Sequence, residues 1–265
     1  MKIYISVDME GVAGINHWDE TEASKPRDYE PFRRQMVNEV NAAINGARAA
    51  GAKQITVRDA HDTARNILPH ELPKGVELIR GWSGHPAMMM EGLDESYDAV
   101  FLIAYHSPGS GDGNPLRHTM TVEKLVETKL NGNRASEFLL NTLYAASLGI
   151  PVVFVSGDKA LTEESKELIC DIHTVPTTRG VGNATYTRHP QDVLDDIEKT
   201  AEQALQKIGR PPSLPQSFLL ELAFSNHSHA YKASYYPGAK LISETAVHLK
   251  ADNIFDIHRA LAFML

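Results

Sequence analysis

The sequence has a single cysteine, Cys170, so no disulfide can form within the chain and folding does not depend on an oxidising compartment. We expect Cys170 to pack as a small apolar residue on a helix face rather than to act as a reactive thiol. No apolar run is long enough to span a bilayer, and the N-terminal run is too short for a signal peptide. These absences predict a cytoplasmic protein that does not associate with a membrane.

Positive charge is also scarce. Lysine and arginine total 26 against 34 aspartate and glutamate residues, which gives a formal net charge of −8 at pH 7. A general nucleic-acid binder usually has a basic face, so the composition disfavours that class. The sequence also lacks the Gly-x-Ser-x-Gly elbow of many serine hydrolases. The glycine-rich segment from Gly109 to Gly113 is not followed by Gly-Lys-Ser/Thr, so it predicts a flexible loop rather than a phosphate-binding loop.

The remaining composition, 42% apolar and 23% charged, is typical of a globular protein. In the first two thirds, short apolar runs alternate with segments of helical periodicity. Four of these runs are predicted strands: KIYISVD, KQITVRD, DAVFLIAYH and PVVFVSGD. They are almost continuously apolar, which is typical of a parallel sheet with helices on both faces. We therefore predict an α/β fold built on a mostly parallel sheet flanked by helices.

The other elements follow from helix and turn signals. We predict helices over 30–50, 137–147 and 190–208, a short helix that opens at Thr162, and a final helix capped by Asp252. The dipeptide Asn131-Gly132 predicts a hairpin before the second of these helices. From about residue 166 the pattern changes to a mixture of short strands and helices. We predict a catalytic metal-binding domain over 1–165 and a smaller α+β domain over 166–265 that completes the substrate cleft and provides oligomer contacts.

Carboxylate and imidazole side chains follow the predicted strands at the point where each strand ends or its connection begins. The candidates are Asp8, Glu10, His61, His106 and Glu137. Ligands bind at the carboxyl ends of parallel strands, so this topology brings the candidates together. Asp8 and Glu10 can face one site because residues two apart on an extended chain point the same way. Each residue also has an ordinary structural interpretation, such as a helix cap, a solvated acid or a core histidine.

Three converging carboxylates repel one another and take up protons unless a cation is present. Two divalent ions would leave about one unit of positive charge, enough to activate a water molecule. Mixed oxygen and nitrogen ligands suit zinc, with manganese or cobalt as substitutes. We therefore predict two divalent ions per chain, of zinc in the first instance. Asp8 is the expected bridging ligand, and Asp59 is expected to orient a histidine.

These residues lie in segments that resemble the D-aminopeptidase family of zinc peptidases, family M55. The segments are SVDMEGVAG at 6–14, RDAHD at 58–62, AYHS at 104–107, RHTM at 117–120 and LNGNRASE at 130–137. The resemblance covers most of the first 160 residues and is looser in the last hundred. It implies that His118 is catalytic and not a ligand, and that the protein forms a ring-shaped homo-oligomer such as a decamer. The chain departs from the family at Ala104, where glycine is frequent, and in a slightly long loop between His106 and His118.

The resemblance implies an aminopeptidase that removes the N-terminal residue from short peptides and prefers D-residues such as D-alanine. In that case the metals would hold the free amine and the scissile carbonyl, and His118 would stabilise the oxyanion or move a proton to the leaving amine. The loop from Gly109 to Asn114 and the second domain would distinguish D- from L-residues. The residues alone leave two alternatives open. One is another binuclear metal amidase or phosphoesterase, and the other is a non-catalytic peptide-binding protein that keeps the metals for its structure.

Overall fold

Two β-sheets organise the chain, and the computed structural model describes all 265 residues. The strands are β1 (Lys2–Val7), β2 (Gln54–Asp59), β3 (Val76–Ile79), β4 (Ala99–Tyr105), β5 (Leu125–Leu130), β6 (Asn133–Arg134), β7 (Val152–Asp158), β8 (His173–Val181), β9 (Ala184–Thr187), β10 (Phe218–Phe224), β11 (Lys240–Ser243) and β12 (Ala246–Ala251). The helices are α1 (Pro26–Ala49), α2 (Glu137–Ser147), α3 (Lys159–Leu168), α4 (Pro190–Ala204), α5 (His227–Ala233) and α6 (Ile254–Met264).

The first sheet has the order β3-β2-β1-β4-β7-β8-β9. All of its neighbouring strands are parallel except the last pair, β8 and β9. The second sheet has the order β11-β12-β10-β5-β6 and is antiparallel throughout. The predicted α/β fold with a mostly parallel sheet is therefore confirmed.

Helices cover both faces of the first sheet. Ile3 and Ile5 of β1 belong to a core shared with α1 and α4, whereas Tyr4 points to the opposite face and belongs to a core shared with α2 and α3. Because both faces are buried, the residues from Ile3 to Val7 are all apolar or small, and the run is continuous rather than alternating. The apolar stripe of α1, which includes Met36 and Val40, packs into the first of these cores.

Helix α2 lies between the two sheets. Phe138 and Tyr144 pack in a core of the first sheet, and Leu140 and Leu143 pack in the core of the second sheet. The Ser136 hydroxyl caps the helix by accepting a hydrogen bond from the Leu139 N–H at 3.1 Å. The first residue of α2 is therefore held close to both sheets.

The division predicted at residue 166 stays a prediction. Each of the two sheets contains strands from both sides of that residue. Strands β8 and β9, which follow residue 166, extend the first sheet, and α4 packs against α1. Strands β5 and β6, which precede it, belong to the second sheet. The hairpin predicted at Asn131-Gly132 is confirmed, with φ angles of +52° and +81° at these two residues. No helix combines the length and the apolar character needed to cross a membrane.

Several predicted helix ends were wrong, and for two of them the reason is that a different residue caps the helix. Helix α3 begins at Lys159, not Thr162, because the Asp158 carboxylate accepts a hydrogen bond from the Leu161 N–H. The start of α6 is capped by Asn253 and not by Asp252. Helix α1 begins earlier than predicted, at residue 26, and α4 ends earlier, at residue 204. Cys170 follows α3 and is exposed, so the prediction that it packs on a helix face was also wrong.

Gly11 lies where the chain leaves β1 and crosses the end of β4, and its N–H donates to the Ala104 carbonyl at 2.9 Å. A Cβ at this position would lie 2.0 Å from the carbonyl oxygen of Tyr105. Since that oxygen belongs to buried backbone that cannot easily move aside, Gly11→Ala should lower the free energy of unfolding by about 3 kcal/mol. Urea denaturation measures this change.

Gly209→Ala is the matched control, because a Cβ there would make only ordinary contact, 3.4 Å from the Asp171 carboxylate. Its free energy of unfolding should change by less than about 1 kcal/mol. Equal stability of the two variants would contradict the close approach at Gly11.

Candidate metal centre

Asp8 and Glu10 lie on the loop that leaves β1, and both are almost fully buried. The backbone N–H of Asp8 donates to the Ile103 carbonyl at 2.9 Å, which ties the loop to the neighbouring strand β4. The side-chain amide of Asn114 donates to the Glu10 carbonyl at 3.0 Å. These bonds between the loop and its surroundings hold both carboxylates at the carboxyl edge of the parallel sheet.

His61 follows β2, and a backbone carbonyl sets its tautomer. Its Nε2 lies 2.9 Å from the Thr21 carbonyl oxygen. Since a carbonyl only accepts, Nε2 carries the hydrogen and Nδ1 presents its lone pair in the neutral ring. Nδ1 lies 3.3 Å from Asp8 Oδ1 and 3.1 Å from Glu10 Oε2. The free nitrogen of His61 therefore faces the carboxylates.

Asp59 does not contact the ring of a histidine. Its carboxylate accepts hydrogen bonds from the N–H groups of Asn66 at 2.6 Å and Ile67 at 2.8 Å. The side-chain amide of Asn66 in turn donates to the His61 carbonyl at 2.8 Å. Asp59 thus orients the backbone of His61, and the prediction that it orients a histidine holds only in this indirect form.

His106 follows β4 and is oriented in the same way. Its Nδ1 lies 2.9 Å from the Ser107 carbonyl oxygen, so Nε2 presents the lone pair. Nε2 lies 3.3 Å from Asp8 Oδ2 and 3.6 Å from Glu137 Oε2. Asp158, at the end of β7, accepts hydrogen bonds from the N–H and the hydroxyl of Ser107 and so holds the backbone beside His106.

The structure thus brings all five predicted ligands together. Three groups of side chains have ligand atoms within 4.8 Å of one another. Two contain Asp8, which lies with Glu10 and His61 in one and with His106 and Glu137 in the other, and the third consists of Glu10, His106 and His118. Three buried atoms in these groups have no hydrogen-bond partner, namely Asp8 Oδ2, Glu10 Oε2 and His106 Nε2. Buried polar atoms normally have partners, and oxygen and imidazole nitrogen are the donors that zinc accepts. The donor set therefore fits divalent cations.

The electrostatics of the site favour added positive charge. Burial, and then the nearby Glu10 carboxylate, raise the pKa of Asp8 to about 8. Burial by itself would lower the pKa of His106, but the carboxylates of Glu137 and Asp8 raise it well above its usual value. Both shifts have one cause, an excess of negative charge in a buried space, and a bound cation would neutralise it.

His118 lies slightly farther from the carboxylates than the other two histidines. Its Nδ1 lies 3.0 Å from the Leu116 carbonyl oxygen, which makes Nδ1 the donor and leaves Nε2 as an acceptor. Nε2 lies 4.0 Å from Glu10 Oε1 and 3.9 Å from Glu137 Oε1. The lone pair of His118 therefore faces the space between the two groups of candidate ligands that contain Asp8.

Two aromatic neighbours hold the ring of His118. It stacks on His106 with the ring centroids 4.3 Å apart and meets Trp18 edge-on at 5.4 Å. Burial, and then His106, lower the pKa of His118, which favours the neutral ring. Sequence reasoning from the residues did not find His118, since a loop histidine has no periodicity or strand end to mark it.

His118 and four of the five predicted ligands, all except His106, line a cleft of about 610 Å³ that both sheets help to form. The first sheet contributes loop residues such as Trp82 and Met88, and the second contributes Leu261 of α6 and the segment from Met120 to Glu123 that leads into β5. The loop from Gly109 to Asn114 does not line this cleft, contrary to the prediction. It packs behind the β1 loop, where Asn114 contacts Glu10.

Comparisons with known proteins agree with the resemblance seen in the sequence. The family model for D-aminopeptidases of family M55 matches residues 1–263. The D-aminopeptidase of Bacillus subtilis (strain 168) is 28% identical over 268 residues, which cover 100% of this chain and 96% of that protein. Among solved structures, the Zn-dependent D-aminopeptidase DppA from Bacillus subtilis, described as a self-compartmentalizing protease, has a TM-score of 0.93 at 28% identity, over 100% of this chain and 96% of its own. With the whole length matched in both sequence and fold, this chain belongs to the D-aminopeptidase family of peptidases.

Proposed function

We propose that this protein is a metal-dependent aminopeptidase that removes the N-terminal residue from short peptides by means of two divalent ions. One observation carries the number of ions: the two groups that consist only of the five candidate ligands share a single residue, Asp8. Asp8 Oδ1 faces His61, and Asp8 Oδ2 faces His106. A carboxylate that directs its two oxygens at two separate donor sets is suited to bridge two cations.

The residues present would hold the ions as follows. Asp8, Glu10 and His61 would bind one, and Asp8, His106 and Glu137 would bind the other. Carboxylate and imidazole ligands suit zinc, and the name of the solved relative includes zinc dependence. When bound, divalent ions supply Lewis acidity that polarises the scissile carbonyl and lowers the pKa of the attacking water.

His118 would move the proton. With Nδ1–H donated to the Leu116 carbonyl, the neutral ring can accept a proton at Nε2. After accepting the proton of the attacking water, Nε2 becomes the donor and can protonate the leaving amine. The stacking on His106 and the contact with Trp18 hold the ring in place for both transfers.

The preference for D-residues such as D-alanine, and the assembly, are further parts of the proposal. The names of both relatives contain D-aminopeptidase, and one is called self-compartmentalizing. We infer a similar substrate preference and a closed homo-oligomer, for which a decameric ring is the expected form. Most of the second sheet comes from the part of the chain after residue 166. With its helices, this sheet would complete the cleft and provide the oligomer contacts.

The metal assignment makes a prediction of stoichiometry. Wild-type protein should hold about two ions per chain, and Asp8→Ala should hold almost none because both groups lose their shared ligand. Glu10→Gln and Glu137→Gln should each lose one ion. Elemental analysis of dialysed protein measures this series.

Glu39→Gln is the matched control, because Glu39 is also a buried carboxylate but lies on α1, where it accepts hydrogen bonds from the Ala13 N–H and the Gln35 side chain. It should keep the wild-type metal content. Full occupancy in Asp8→Ala would overturn the assignment.

His118→Ala should keep both ions and the fold while kcat falls by roughly 10²–10⁴, the usual contribution of a positioned acid or base. His85→Ala serves as the control, since His85 lines the same cleft but is exposed. It should retain most of the activity. If the metal content of His118→Ala fell in step with its activity, His118 would be a ligand instead.

Chirality is tested with a matched pair of substrates. Metal ions that bind an amine and a carbonyl do not distinguish a D-residue from an L-residue, so the walls of the cleft must do so. One methyl group misplaced in a pocket weakens transition-state binding by about 1–3 kcal/mol. We therefore expect kcat/KM for D-Ala-D-Ala to exceed that for L-Ala-L-Ala by roughly 10- to 200-fold. Faster cleavage of the L-peptide would remove the D-preference and leave the metallopeptidase proposal in place.

A further inference from the structure

Trp82 forms part of the cleft wall beside the metal centre. Its indole Nε1 donates to the carbonyl of Asp62, the residue after His61, at 2.7 Å. The side chain is nevertheless 43% exposed, and it lines the cleft. A large apolar ring that is fixed by a hydrogen bond and still open to the cleft is suited to contact a bound molecule.

The inner face of the Trp82 ring is already covered. The guanidinium of Arg58, which is fully buried, lies 4.3 Å from the ring centroid. Arg58 donates to the Gly81 carbonyl and lies 3.7 Å from the Glu91 carboxylate, so it also anchors the segment that carries Trp82. A cation below the ring opposes the approach of a second cation above it. The outer face therefore favours an apolar group over the ammonium of a substrate.

Two methionines also line this wall of the cleft, and both have a strained backbone conformation. Met88 has φ of +49° and Met120 has φ of +66°, a conformation that bulky residues rarely adopt. Six residues other than glycine have positive φ, and three of them, Asp62, Met88 and Met120, line the cleft. Such strain concentrates at ligand sites, where the surrounding structure enforces it. Methionine is flexible and polarizable, so it adapts to apolar groups of different shape.

We propose that Trp82, Met88 and Met120 form an apolar subsite that binds a bulky apolar side chain next to the scissile bond of the substrate. The inference rests on the proposed function, because it takes the occupant to be a peptide held at the adjacent metal centre. It deepens that function by naming the substrate class: short peptides with a large apolar residue, which a cleft of about 610 Å³ accommodates better than alanine alone.

The test compares three dipeptides, D-Leu-D-Ala, D-Ala-D-Leu and D-Ala-D-Ala, on metal-loaded enzyme. The wild type should cleave at least one leucine peptide with a higher kcat/KM than D-Ala-D-Ala. Trp82→Ala should lower kcat/KM for that leucine peptide by about 10-fold or more, mainly through KM, and change D-Ala-D-Ala by less than about twofold. Met88→Ala should shift the same ratio in the same direction by a smaller factor, and both variants should keep the wild-type metal content.

Tyr186→Ala is the matched control. Tyr186 is an exposed aromatic ring over the guanidinium of Arg179, also at 4.3 Å, but it lies on β9 and does not line the cleft. Its removal should leave all three substrates unchanged. An equal loss on all three peptides in Trp82→Ala, or no loss on any, would overturn the subsite. Failure of the metal-loaded wild type to cleave any dipeptide of either hand would instead overturn the proposed function, and the subsite with it.

Discussion

The mutual repulsion of three buried carboxylates is the constraint on which the rest of this structure depends. Asp8, Glu10 and Glu137 converge in a space from which water is largely excluded, and the pKa of Asp8 rises to about 8 as a result. The repulsion would relax if the β1 loop or α2 moved by a few ångströms. The hydrogen bonds of the β1 loop to β4 and to Asn114 oppose that movement. The fold thus maintains an arrangement that is favourable only with added positive charge.

The second sheet has a direct part in this arrangement. Helix α2 packs on both sheets, so the position of Glu137 depends on how the sheets lie against each other. The N–H of Met120, on the segment that leads into β5, also donates to Glu137 Oε1 at 2.7 Å. One of the three carboxylates is therefore held by the second sheet and the other two by the first. The cleft and the candidate metal centre form together for this reason, and neither sheet would provide both alone.

Backbone conformation accounts for the glycine that the family resemblance leads one to expect at the position of Ala104. Here φ is +60°, in the region that favours glycine. Alanine is the smallest residue that has a Cβ, and Ala104 is fully buried against neighbours of the first sheet. Gly11 donates to its carbonyl, so the strained residue also supports the β1 loop. The substitution thus falls beside the metal centre, whereas the long loop after His106 packs behind it and away from the cleft.

The sequence by itself determined the parallel sheet, the Asn131-Gly132 hairpin, the start of α2 and the convergence of five polar residues at one edge. These features depend on apolar periodicity, turn chemistry and the strand-end rule, each of which is encoded within a few consecutive residues. Only the tertiary structure decided that β8 and β9 extend the first sheet, because a stretch rich in glycine and threonine carries little apolar signal. It also decided that the Thr21 carbonyl orients His61 and that Arg58 lies beneath Trp82. Those contacts join separate segments of the chain. Whether such segments meet depends on how the loops pack over the sheet, and no local sequence pattern specifies that packing.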